Sequence, residues 1–228
     1  MSTHSTAHVI VADIAFPELD GSDRHHLERV LRVGPKEVVT ATNGAGAWRT
    51  TELVAGNLIV TSDIQQMKRP EPLLAMGVAL LKGDRTELVV QKLTELGIDD
   101  LWPLATSRGG AEWTRDKADR HMERLRRVAR QALMQSRGMW LPQIHDLASV
   151  GDFLTETGGV LADFGGGPLR SGLTSLAIGP EGGWTDEERS LSAIPVTLGT
   201  TVLRAETASI VAAGLLVGCR GGVVSPGS

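Results

Sequence analysis

The chain has 228 residues, 41% of them apolar and 22% charged, with a net charge of −4. This composition supports a buried core and excludes both wholesale disorder and a polycation that coats nucleic acid by bulk charge. A single cysteine excludes a disulfide framework or thiolate zinc site, and no run approaches the roughly 18 apolar residues of a membrane span. The N-terminus lacks a basic stretch and a long apolar run, so no signal peptide is expected and the compartment expected is the cytoplasm.

Residues 1–70 read as short strands and turns. Residues 9–12, 37–42, 47–54 and 57–61 are rich in β-branched and apolar types, with Asn43-Gly44 as a turn signal. Strands at this spacing suggest a small barrel. One helix, over 23–32, interrupts them and puts Leu27, Val30 and Leu31 on one face. Pro70-Glu71-Pro72 reads as a linker.

Beyond it the pattern changes. Residues 73–81 are almost continuously apolar, as in a strand covered on both faces. A helix follows over 84–96, burying Leu88, Val89, Leu93 and Leu96, with Gly97 as its C-cap. A strand at 100–104 precedes a long helix over 116–136, for which Thr114 is the N-cap candidate. Strands are predicted at 159–163, 175–179 and 196–199. The Thr185–Glu188 capping box starts one helix, and residues 207–217 form another. Alternating strands and helices predict an α/β domain with a mainly parallel sheet.

Two strand-to-helix loops are candidates for chemistry. The first is Ile178-Gly179-Pro180-Glu181-Gly182-Gly183-Trp184, whose small residues let a backbone approach a ligand at a strand's carboxyl end. It matches neither the dinucleotide fingerprint nor the P-loop, and an ordinary tight turn reads equally well. The second is Leu198-Gly199 through Leu203-Arg204-Ala205-Glu206-Thr207, where Arg204 and Glu206 also read as a surface ion pair. Residues 108–137 hold nine Lys or Arg against four acids, leaving the rest of the chain at −9. Such segregation suggests a polyanion site, with a solvated helix face as the bland reading. Arg24-His25-His26 with Arg29 and Arg32 is a smaller basic group. Adjacent histidines diverge on a helix, so no metal is expected. No Gly-x-Ser-x-Gly elbow occurs and Cys219 sits in a Gly-rich tail, which disfavours nucleophilic catalysis.

The sequence resembles the RsmE family of 16S ribosomal RNA uridine-N3 methyltransferases, within the knotted SPOUT superfamily. The residues that carry the resemblance run the length of the chain: His25-His26-Leu27 through Val30-Leu31-Arg32, Lys82-Gly83-Asp84, Gln91 through Gly97, and Gln135-Ser136-Arg137 before Leu141-Pro142. Gly179-Pro180-Glu181-Gly182-Gly183, Leu198-Gly199, Leu203-Arg204 and Glu206-Thr207-Ala208 complete it. The segment Ser107-Arg108-Gly109-Gly110 departs from the family's pattern.

The resemblance implies an α/β protein with an N-terminal PUA-like β-barrel (residues 1–70) followed by a SPOUT α/β domain (residues 73–228) whose C-terminal segment forms a trefoil knot. It implies a homodimer acting on 16S rRNA in the small ribosomal subunit, with no membrane association. S-adenosyl-L-methionine is expected against Ile178, Gly179, Pro180, Glu181, Gly182, Gly183, Leu198, Gly199, Leu203 and Thr207. Arg204 is expected to stabilise charge developing on the base, and Glu206 to serve as base or to orient Arg204. RNA is expected on Arg24, His25, His26, Arg29, Arg32, Arg126, Arg127, Arg130, Gln135 and Arg137. The competing expectations are a knotted methyltransferase for another RNA and a non-catalytic RNA-binding assembly factor.

Overall fold

The computed structural model describes residues 5–34, 36–109 and 115–225, so the proposed cap Thr114 lies outside the described residues. The chain forms two compact units, residues 1–69 with 130–141, and residues 70–129 with 142–228.

In the first unit, β1 (Ala7–Ile10) leads to α1 (Gly21–His25), which continues into a π-helical turn, His26–Val30. β2 (Val38–Thr42), β3 (Ala47–Val54), β4 (Asn57–Val60) and β5 (Gln65–Gln66) follow. The strands make one mixed sheet in the order β1-β2-β3-β4, with β5 on the start of β3. β1 and β2 run parallel, whereas β3 is antiparallel to its partners. Val9, Leu27, Val39, Ala41 and Leu53 form the core, and Met134 from the returning segment packs on it. Leu31 was expected beside Leu27 but is 47% exposed. The helical winding ends at Val30 and Arg32 takes φ +51°, so Leu31 lies beyond the helix and leaves its stripe.

The second unit contains β6 (Ala75–Ala79), α2 (Arg85–Leu96), β7 (Asp100–Ala105) and α3 (Arg115–Ser136), the last turns of which belong to the first unit. β8 (Gln143–Ile144), β9 (Ala148–Ser149), α4 (Val150–Thr157), β10 (Val160–Gly167) and β11 (Ser175–Ile178) come next. α5 (Asp186–Ser190) and α6 (Ala205–Arg220) end it. The sheet order is β10-β11-β6-β7-β8, with β9 on the far end of β7, and each pairing is parallel. β6 and β11 are buried along their whole length, as strands covered on both faces must be.

The second unit departs from the expected elements at three places. α2 buries Val89, Val90 and Leu93 with Thr86 and Thr94, and Leu88 falls outside that stripe at 40% exposed. Residues 196–199 are not a strand. Val196 makes isolated bridges to Ala162 and Gly167, because β10 turns through Gly165, at φ +87°, and cannot offer a straight edge. Cys219 lies inside α6 rather than in a tail.

The last helix is anchored by a buried ion pair. Arg220 Nη1 meets Asp99 Oδ2 at 2.5 Å, and Nη2 donates to the Gly97 carbonyl at the αL cap of α2. Asp99 Oδ2 also accepts from the Leu74 N–H, which satisfies a charge that burial alone would penalise.

Candidate active site

The site lies beyond the carboxyl end of β11, where the sheet hands the chain to its glycine turn. Ile178 is the last strand residue, and Trp184 returns the chain to the core with its indole fully buried. The Trp184 Nε1–H donates to the Ala162 carbonyl on the neighbouring strand at 2.8 Å. Its ring lies flat against Gly179, where a Cβ would come within 2.9 Å of it. Gly183 takes φ +67° and donates to the Pro180 carbonyl, closing the turn.

A second set of contacts fixes the outer side of the turn. Thr185 caps α5, and Glu188 completes the capping box through Oε2, 2.8 Å from the Thr185 N–H. The other oxygen of this buried carboxylate accepts the Ser107 N–H at 2.8 Å. Arg108 Nη1 donates to the carbonyls of Gly182 and Trp184. The loop after β7 therefore clamps the turn, a role that Glu188, placed 81 residues from Ser107, gives no sequence signal for beyond its cap.

Across from the turn runs the second loop. Thr197 donates its N–H to the Gly167 carbonyl, and Arg204 takes extended dihedrals at the start of α6, its carbonyl accepting from Ala208. The two loops enclose one cleft of about 190 Å³. Ile178, Gly179, Pro180, Glu181 and Gly183 line one side, and Leu198, Gly199 and Leu203 the other. Asp163 and Phe164 of β10 contribute to the wall. Asp163 accepts from Arg189 Nε at 2.6 Å, which raises the guanidinium pKa above its ordinary value.

Four expected residues do not line this cleft. The hydrogen face of Gly182 points at Arg108 Cβ, 3.1 Å from where a methyl would stand. Thr207 is exposed on the first turn of α6. Arg204 is exposed at the helix start, while Glu206 is half-buried and faces α2 rather than Arg204. Its neighbour there is Arg85, whose Nη1 pairs with Glu181 and lies 3.7 Å from Glu206 Oε2. That oxygen is buried and has no hydrogen-bond partner. Arg85 was missed by sequence reasoning, yet it carries a signal: a cation in the first turn of a helix opposes the macrodipole and calls for a specific acidic partner.

The basic residues divide in the same way. Arg24, His25, Arg29, Arg32, Arg126, Arg127, Gln135 and Arg137 are exposed, and the His26 side chain lies outside the described residues. Arg130 is engaged within the first unit, 2.5 Å from Asp23 Oδ2 and 2.7 Å from the Ile10 carbonyl. Arg126 meets Asp146 at 3.0 Å, a pair exposed on both sides. Among the described residues no helix is long and apolar enough to cross a membrane.

Residues 69–217 match the model of the RNA methyltransferase domain. The ribosomal RNA small subunit methyltransferase E of Synechocystis sp. is 33% identical over 82% of this chain and 68% of its own length. The chain belongs to the ribosomal RNA small subunit methyltransferase E family. The member from Rickettsia conorii is 27% identical, over 82% of this chain and 83% of its own. A methyltransferase structure from Legionella pneumophila, solved with bound S-adenosylmethionine, superposes with a TM-score of 0.80 at 26% identity, covering 92% of this chain and 96% of that one. The methyltransferase E structure from Neisseria gonorrhoeae, at 23% identity and a TM-score of 0.78, shares the fold over 92% of this chain and 96% of its own.

Proposed function

We propose that this protein is an S-adenosylmethionine-dependent methyltransferase that modifies N3 of one uridine in the 16S ribosomal RNA of the small subunit. The observation that carries this reading is the meeting of two separate glycine-containing loops in one cleft, in a chain of this family. The residues present fit the cofactor. Ile178, Leu198 and Leu203 offer apolar surface to an adenosine, and backbone groups of the Gly179–Gly183 turn stand where Trp184 holds them. Asp163 and Glu181 bring carboxylates to the wall, each paired with a guanidinium, of Arg189 and Arg85 respectively.

Bound there, S-adenosylmethionine supplies the methyl group together with its own leaving group. The protein's share is positioning and electrostatics. Uridine N3 is a poor nucleophile until its proton is removed or shared, and the resulting charge spreads to O2 and O4. Arg204, exposed at the end of the second loop, is the residue to stabilise that charge. Glu206, whose Oε2 has no hydrogen-bond partner, is the base candidate, with the Arg85 guanidinium 3.7 Å away. The target base must leave its stack to expose N3. The exposed cations of both units would hold the RNA backbone.

The finer architecture belongs to the same proposal. The first unit acts as a PUA-like barrel, the α/β unit as the SPOUT catalytic domain with a C-terminal trefoil knot, and the protein works as a cytoplasmic homodimer. The test is to incubate the protein with labelled S-adenosylmethionine and small ribosomal subunits lacking the modification, then map the label by mass spectrometry. N3-methyluridine at one position in 16S rRNA is expected. Label on another atom, on another RNA, or nowhere would overturn the reading.

A further inference from the structure

The first unit carries an exposed aromatic residue next to its smaller basic group. Phe16 stands in water at the tip of the loop after β1, 77% exposed. The loop beneath it is firmly built. Arg49 donates from Nη1 to the carbonyls of Ile14 and Ala15, both at 3.3 Å, and from Nε and Nη2 to the Ser62 carbonyl at 3.0 and 2.6 Å. Asp13 Oδ1 accepts the Ala15 N–H at 2.7 Å, and Pro17 is buried. A guanidinium is thus engaged to hold still a loop that presents an aromatic ring to solvent.

Beside the ring is a cavity of about 460 Å³, within the range of small-ligand sites. Leu58 and Val60 give it an aliphatic floor, and Glu18, Arg24 and Asn57 give it a polar edge. The combination of an exposed aromatic ring with donors and acceptors lining the cavity beside it matches an unpaired nucleobase, which binds by stacking and by hydrogen bonds along its edge. An aliphatic peptide segment would leave the polar edge unmatched. Exposed His25, Arg29 and Arg32 follow Arg24 in the chain and favour a phosphate backbone on that side. Glu18 would repel a phosphate, but it accepts a base N–H or amino group.

We infer that Phe16 and the adjoining cavity bind one unpaired base of the RNA substrate. This rests on the RNA methyltransferase reading and extends it. The residues around Phe16 and those around the cofactor cleft have no member in common. The scarcity of aromatics argues against a stacking sheet, not against a single platform.

The test uses fluorescein-labelled single-stranded oligoribonucleotides (heptamers of A, C and U) in anisotropy titrations against the full chain. Because Phe16 is exposed, Phe16→Ala leaves the melting temperature and S-adenosylmethionine affinity unchanged, and it weakens the best-bound heptamer by about tenfold or more. Phe16→Trp restores or tightens binding. Phe16→Ala binding like wild type, or Phe16→Leu rescuing as well as Trp, overturns the site, because neither is compatible with stacking. If Arg126→Glu and Arg127→Glu weaken RNA binding while Phe16→Ala does not, the site falls and the methyltransferase reading stands. Failure of the wild-type protein to bind any RNA or transfer methyl defeats both.

Discussion

Gly179 and Trp184 are packed so closely that position 179 has no room for a side chain: a Cβ there would lie 2.9 Å from the indole. The ring, held by its bond to the Ala162 carbonyl, sets the floor of the turn and so the shape of the cleft. Gly179→Ala should overpack this contact at a cost of about 1–3 kcal/mol and weaken S-adenosylmethionine binding by tenfold or more in calorimetry. Gly182→Ala, facing Arg108 instead, should leave affinity within a few-fold. Equal effects at both positions would mean that the ring does not shape the site.

How much of this was legible beforehand follows the range of the interactions. β3, the αL cap at Gly97 and the Thr185–Glu188 box are local features, and each stands where its residues place it. α4 carries the same kind of signal, Ser149 as its N-cap with Asp152 completing the capping box, and was overlooked. Residues 196–199 read as a strand by β-branching, but pairing depends on the partner edge, and Gly165 bends that edge away. The two loops were legible as candidates; the partners that fix them were not. Glu188 reaches Ser107 and Arg85 reaches Glu181 through tertiary contacts alone.

Arg204 is the residue assigned to stabilise charge on the substrate, and it lies outside the cleft lining. Arg204→Ala should therefore lower the methyl-transfer rate by about a hundredfold or more while cofactor affinity changes only a few-fold. Single-turnover rates alongside calorimetry separate the two effects. A normal rate would remove Arg204 from the mechanism.

His8 gives the first unit a pH-dependent stability. Its imidazole is buried on β1 and donates from Nε2 to the Gly138 carbonyl at 2.9 Å. Burial, aided by the nearby Arg137 charge and opposed by that hydrogen bond, lowers its pKa from 6.5 to about 4. Between those values the unfolded chain binds more protons than the folded one, so stability rises with pH across this window and is lost as pH falls through it. The full effect is about 3 kcal/mol. Denaturant titrations from pH 4 to 7 should show it, and His8→Gln, which keeps a donor without the titration, should flatten that part of the profile. An unchanged slope in the variant would assign the dependence elsewhere.

Arg126 and Arg127 are exposed, whereas Arg130 is held by Asp23. Reversing Arg126 and Arg127 to Glu should weaken RNA binding and reduce its salt slope by about one for each phosphate that is no longer neutralised. Arg130→Glu should instead lower the melting temperature, because it leaves Asp23 beside a like charge. A salt slope unaltered by the double reversal would make this helix face a solvated one.

In the proposed function one cleft, between the turn after β11 and the loop before α6, receives the methyl donor. Crystals of the protein soaked with S-adenosylmethionine or its demethylated product would show where the donor sits. Density is expected against Ile178, Gly179, Leu198 and Leu203; density elsewhere on the molecule, or none with a donor that calorimetry shows to bind, would mean that this cleft is not the donor site.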